Sequence, residues 1–236
     1  MEGCIIKTYA ILKERYLPEE EVVNRIKTAI EKGNPFSLVR IGDGECYVLG
    51  QDLVFPVDWI RENIYWFADP FYCGTTIPNL EARDRCLQAV RNANLIGVFT
   101  GQEVPQAVFS AYKIPTDNIF YAFLNVGLPM YRPFVELIKK YPPLLVGRPA
   151  ARFAQLLSVR LGIETPYLDC VQSYQDLDKC IEMMASIPHR WSLISAGINA
   201  LIISDLMARE YGKVAVDFGH APDMVLDDEN YWLAEV

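Results

Sequence analysis

The chain is poor in histidine, with 2 in 236 residues, and its 6 cysteines (Cys4, Cys46, Cys73, Cys86, Cys170 and Cys180) form no Cys-x-x-Cys pair. That spacing excludes the common zinc-ribbon and redox-dithiol frameworks. Scattered through apolar or amphipathic surroundings, the thiols read as small hydrophobes in a reducing compartment, which points to the cytoplasm. No apolar run approaches the roughly 18 residues that a membrane-spanning helix requires. The first residues, Met-Glu-Gly-Cys-Ile-Ile-Lys, set no basic segment ahead of a long apolar one, so no secretory signal is read there. Positive charge is also short: 22 Lys and Arg against 30 Asp and Glu give a formal net charge of −8. Nucleic acid is held by neutralising its phosphates, so this balance argues against it as a partner. A small anionic ligand remains compatible with a local arginine cluster.

What is present is a large core. Hydrophobic residues make up 51% and aromatics 12% of the chain, and a mean hydropathy of +0.10 points to a subunit interface or membrane contact. A homo-oligomer is therefore among the expected partners. Apolar runs and helical periodicities alternate along the chain. Strands are expected over 36–41, 95–99, 119–123, 144–146, 167–169, 191–195 and 214–217, and helices over 18–32, 78–92, 104–113, 129–141, 150–161, 175–187 and 198–211. Such alternation implies right-handed crossovers and a mainly parallel sheet. With no internal repeat, low-complexity tract or linker, residues 1–236 read as a single Rossmann-like α/β domain with helices on both faces.

The chain is organised around Phe36-Ser-Leu-Val-Arg-Ile-Gly-Asp-Gly-Glu45. An apolar strand ends in Arg40, then Gly42 and Gly44 flank Asp43, and Glu45 follows. Glycines permit close ligand approach that side chains forbid. On an extended turn, residues two apart point the same way, so the Asp43 and Glu45 carboxylates are expected to converge. Convergent carboxylates repel unless a proton or a cation lies between them, and hard oxygens suit magnesium or manganese. The plainer alternative is a turn whose Glu45 opens a helix. The glycines do not continue into Gly-x-Gly-x-x-Gly.

In a parallel sheet, ligands sit beyond the carboxyl ends of the strands. The residues after the other strands are therefore candidates: Thr100 and Gly101-Gln102-Glu103, then Gly147, Arg148 and Arg152, then Ala196-Gly197-Ile198-Asn199, then Gly219 and His220. Gly197 at a helix entry suits an anion or merely a tight turn. Arg148 at a strand end suits a diphosphate. His220 suits a metal, proton transfer or a turn hydrogen bond, whereas His189 beside Pro188 reads as a surface turn. In the aromatic-rich stretch from 51 to 73, Trp59, Tyr65 and Trp66 read either as core or as a cleft for stacking a sugar or base.

The 36–45 segment resembles the signature of the GT-D-fold glycosyltransferases, whose Asp-x-Glu element stands in for the Asp-x-Asp motif of other sugar transferases. Val216-Asp217-Phe218-Gly219-His220 resembles that family's closing Asp-x-Gly-His segment, and Leu128-Pro-Met-Tyr-Arg-Pro-Phe134 its arginine-proline helix start. The turn at Ser195-Ala-Gly-Ile-Asn199 departs from the expected Gly-Pro. The resemblance implies a hexosyl-type glycosyltransferase with Asp43 and Glu45 as catalytic residues and ligands of Mn2+ or Mg2+. Arg40, Gly42, Gly44, Arg148, Gly197 and His220 would bind a nucleotide-sugar donor such as a UDP-sugar, and the acceptor would be a glycan or glycoprotein. Two other readings stand beside it: a methyltransferase or other Rossmann-like nucleotide binder, and a non-catalytic nucleotide- or sugar-binding module.

Overall fold

A computed structural model describes residues 15–69, 73–99 and 103–228. Among the described residues, seven strands form one all-parallel sheet in the order β3-β2-β1-β7-β6-β4-β5. In chain order the elements are α1 (Glu19–Lys32), β1 (Phe36–Ile41), α2 (Asp43–Gly50), α3 (Val57–Asn63), α4 (Leu80–Asn92), β2 (Leu95–Val98), α5 (Glu103–Tyr112) and β3 (Ile119–Tyr121). There follow α6 (Leu124–Gly127), α7 (Arg132–Lys140), β4 (Leu144–Gly147), α8 (Ala150–Leu161), β5 (Tyr167–Leu168), α9 (Leu177–Ser186), β6 (Trp191–Ser195), α10 (Asn199–Arg209), β7 (Val214–Asp217) and α11 (Ala221–Asp227).

The strands are apolar on both sides because both sides are covered. Val39, Ile41, Ile96, Val98, Leu144, Val146 and Ala215 face a core under α2, α4, α9 and α10. Their strand neighbours Phe36, Leu38, Leu95, Leu145, Leu193, Val214 and Val216 face a second core under α1, α7, α8 and α11. The period-2 alternation of a strand thus feeds two helical layers. Helix α1 shows the local logic: Val22, Val23, Ile26, Ala29 and Ile30 form its buried stripe, and Gly33 at φ 67° closes it in the left-handed region.

Three expectations are corrected. Residues 43–50 are a helix, not an extended turn. The helix expected over 129–141 is broken: Leu128–Met130 is a 3-10 turn, and α7 starts at Arg132, where Pro133 fits the first turn. Cys170 and Cys180 are joined by a disulfide, so they are not the free small hydrophobes expected of all the thiols. Cys46, Cys73 and Cys86 are free and buried. Thr100 to Gln102, Phe71, Tyr72, Cys4 and the tail after residue 228 lie outside the described residues.

Candidate active site

Strand β1 lies inside the sheet between β2 and β7, and its carboxyl end delivers Arg40 and the 42–45 turn. Arg40 is not open to a ligand. Its side chain is 10% exposed and its Nε lies 3.5 Å from Asp217 Oδ1. Its Nη1 donates to the Ala122 carbonyl at 3.3 Å, while its amide donates to Asp217 Oδ2 at 3.1 Å. Two glycines make room for it. Gly97 pairs with Arg40 across β1 and β2, and a Cβ there would sit 2.9 Å from the Phe120 ring and 3.1 Å from Arg40 Cγ. Gly219, at φ +56°, presses its backbone on the guanidinium; a Cβ would lie 2.4 Å from Nη2. Asp217 Oδ1 also accepts the Gly219 amide at 3.0 Å, which ties β7 and its turn to β1.

Glu45 joins this cluster from the first turn of α2. Its Oε2 accepts the Gly42 amide at 2.9 Å, satisfying a donor the helix leaves unpaired. A Cβ at Gly42 would approach that oxygen to 3.0 Å and crowd the cap. The Glu45 carboxyl is pushed up to about 7 by burial and then by the Asp217 charge, with Arg40 and the hydrogen bonds opposing. Burial likewise raises the Asp217 carboxyl, against the pull of Arg40. The Arg40 guanidinium pairs with Asp217, and its charge also favours the ionised form of Glu45.

Asp43 stands apart. At 3.6 residues per turn, helical residues two apart are rotated by about 200°, so its carboxylate diverges from that of Glu45. It is half-buried, its pKa is raised by burial, and it makes no hydrogen bond or ion pair with the described residues. Gly44 lies in ordinary contact with Cys73, 3.5 Å from Sγ to a built Cβ.

Beyond β7, His220 is exposed at the start of α11, its ring centroid 6.2 Å from that of Phe123. Its pKa is lowered by desolvation and by the Arg40 charge, with Asp223 opposing. Asp223 is pushed up by burial and pulled down by Arg148, His220 and Arg152. Arg148 and Arg152 are exposed after β4, so a line of charge runs from Glu45 through Asp217 and Arg40 to His220, Asp223 and the two outer arginines.

Gly197 is drawn into another use. At φ +54° it admits the Cys73 carbonyl, which would lie 2.5 Å from a Cβ. The Ile198 amide donates to that carbonyl at 3.0 Å, and Asn199 Nδ2 donates to the Gly74 carbonyl at 3.0 Å. A chain segment occupies the place where an anion was expected. Asp223 and Phe123 were not singled out from sequence, and Asp217 was named only as part of the closing Asp-x-Gly-His segment. Asp217 had a signal, a charge closing the apolar strand Val-Ala-Val-Asp. Phe123 is 5.1 Å from Phe99 and 5.8 Å from Tyr121 by ring centroids, forming an aromatic wall beside His220.

A family model described as a GT-D fold-like domain matches residues 17–225. The solved structure of the highly conserved domain of unknown function 1792, described as a distinct glycosyltransferase fold, superimposes with a TM-score of 0.62 at 14% identity, covering 97% of this chain and 86% of that one. A new glycosyltransferase (DUF1792) from Streptococcus sanguinis gives a TM-score of 0.59 at 16% identity, covering 94% and 87%. At such identities the structural likeness speaks for the fold alone. No curated protein matches the sequence.

Proposed function

The chain belongs to the GT-D fold-like family, and from that premise we propose that it moves a hexosyl group from a nucleotide-diphospho-sugar, such as a UDP-sugar, to a hydroxyl of a glycan or glycoprotein. The observation that carries this reading is Asp43, a half-buried carboxylate without a hydrogen bond or ion pair among the described residues, on the first turn of a helix at the carboxyl end of an inner parallel strand.

Manganese or magnesium is part of the proposal. Asp43 fits as a ligand, because nothing among the described residues occupies its carboxylate. Glu45 fits less well, since helix geometry turns its carboxylate away from Asp43 and one of its oxygens accepts the Gly42 amide. Among the described residues no three His, Cys, Asp or Glu side chains gather into a ready metal centre, so donor phosphate oxygens would complete the coordination. When bound, the ion supplies positive charge against the leaving diphosphate.

The chain's own residues do the rest. The positive end of α2, without side chains at Gly42 and Gly44, favours the approach of phosphate. Arg148 and Arg152, exposed beside Asp223, offer bidentate grips. Arg40 acts at one remove, holding Asp217 and the Gly219 turn in register. His220, with its lowered pKa, is neutral at neutral pH and accepts a hydrogen bond from a sugar hydroxyl. The cytoplasm is part of the same proposal and rests on the free thiols Cys46, Cys73 and Cys86, with the Cys170–Cys180 disulfide standing against it. No helix among the described residues is long and apolar enough to cross a membrane.

The test is a thermal-shift panel of nucleotide-sugars with and without manganese. The expected result is stabilisation by one donor class that requires the ion, together with acceptor-dependent release of nucleoside diphosphate. Binding without release would assign the chain to the non-catalytic binders, and no response to any donor would overturn the reading. Arg148→Ala should weaken nucleoside diphosphate more than nucleoside; equal weakening would give that arginine to the fold.

A further inference from the structure

We propose that the aromatic surface between residues 53 and 66 is a carbohydrate subsite, and that its ligand is a neutral oligosaccharide, the acceptor side of the transfer. This rests on the glycosyl-transfer reading above and extends it to a substrate class. Helix α3 presents Trp59 at 42% exposure, and Tyr65 just beyond it is 80% exposed. A core role explains neither ring. Both are nevertheless braced: Trp59 stacks on Phe55 at 5.4 Å and 22° between planes. Tyr65 meets Trp66 edge-on at 5.3 Å.

A chain of ring contacts through the interior links this surface to the candidate active site. Phe55 and Trp66 lie 5.7 and 6.4 Å from Tyr47 by ring centroids. Tyr47 is buried on α2, one helical turn from Asp43, and the Asp43 charge helps raise its phenol pKa after burial. A path of rings therefore leads from beside the Asp43 carboxylate to solvent. Rigid, exposed ring faces pair with the apolar faces of pyranoses at little entropic cost.

Charge selects the occupant. Asp52, Asp58, Glu62 and Asp69 outnumber Arg61 and the neighbouring Arg83, whose charge Asp52 feels. Such a surface repels anionic lipid headgroups and polyphosphates. Exposed carboxylates accept hydrogen bonds from sugar hydroxyls, which suits a neutral glycan.

The experiment titrates the full chain with neutral trisaccharides of glucose, galactose, mannose and N-acetylglucosamine, following tryptophan fluorescence and saturation-transfer NMR. Saturable binding is expected for at least one, weakened about tenfold in Trp59→Ala or Tyr65→Ala. Nucleoside diphosphate binding should be unchanged in both variants, which also reports that they fold. Asp43→Asn should keep the oligosaccharide and lose the manganese response to nucleotide. Absence of saturation by every sugar, or equal binding in both aromatic variants, overturns the subsite. So does a dimer, seen by light scattering, that dissociates in the same variants without sugar binding. Sugar binding in a chain that ignores nucleotide would instead leave the subsite standing and remove the transfer reading.

Discussion

Replacing Asp217 with Ala should be among the most damaging single changes near the site. The residue is 2% exposed, and its carboxylate serves the Arg40 amide at 3.1 Å, the Gly219 amide at 3.0 Å and the Arg40 Nε at 3.5 Å. Removing one partner of a buried ion pair costs about 3–5 kcal/mol, chiefly because the other charge is stranded. Each stranded amide adds about 1–3 kcal/mol where water cannot reach it. Water entering the vacated volume offsets part of this, leaving roughly 3–5 kcal/mol against a typical total of about 5–15 kcal/mol. Asp217→Asn, which keeps one acceptor oxygen, should cost less. The assay is urea unfolding of wild type, Asp217→Ala, Arg40→Met and the double variant. The double variant should be less destabilised than the sum of the singles, since the two side chains are in contact. A loss below about 1 kcal/mol for Asp217→Ala, or strict additivity in the cycle, would refute the buried pair as the element joining β1 to β7.

Two further outcomes follow from the same cluster. Gly219→Ala should destabilise by about 1–2 kcal/mol from the left-handed backbone alone. It should also displace the Arg40 guanidinium, 2.4 Å from the new Cβ, which a crystal structure or arginine Nε NMR shift would detect. The Glu45 carboxyl, ordinarily at 4.5, stands at about 7 in the fold. The folded chain then holds a proton that the unfolded chain has lost. That contribution is full below pH 4.5 and disappears as pH rises through 7, on the order of 3 kcal/mol at 1.36 kcal/mol per unit. Glu45→Gln should flatten the stability profile across that window in urea melts at stepped pH, and an unchanged slope would count against it.

The sheet was legible because buried parallel strands are short apolar runs between helical periodicities. The bounds read for β1, β6 and β7 coincide with those observed. Helix α2 was legible only as the plainer alternative, with Glu45 opening it. Gly-Asp-Gly carries turn chemistry, and the following Cys-Tyr-Val-Leu, buried throughout, shows no polar face to betray a helix. The error then spread to the site, since a period of 2 makes Asp43 and Glu45 converge whereas a period of 3.6 separates them. Arg40 was correctly placed at a strand end but not in its role. Its partner Asp217 is 177 residues away, a pairing that no local pattern encodes. Gly197 likewise looked open because the Cys73–Gly74 segment that fills its turn is remote in sequence. The disulfide between Cys170 and Cys180, separated by 10 residues, has no motif spacing to announce it.

The most direct test is calorimetric titration of a nucleoside diphosphate, with and without manganese, on wild type and Asp43→Asn. Asp43 makes no hydrogen bond or ion pair among the described residues. Neutralising it should therefore change stability by no more than the helix-dipole contribution, about 0.3–1 kcal/mol. Wild-type affinity should rise with manganese and the variant should show no such rise, because metal and diphosphate bind as a coupled pair. A wild-type affinity indifferent to manganese would contradict the account, and Asp43-Gly44-Glu45 would then be only the capped start of a helix.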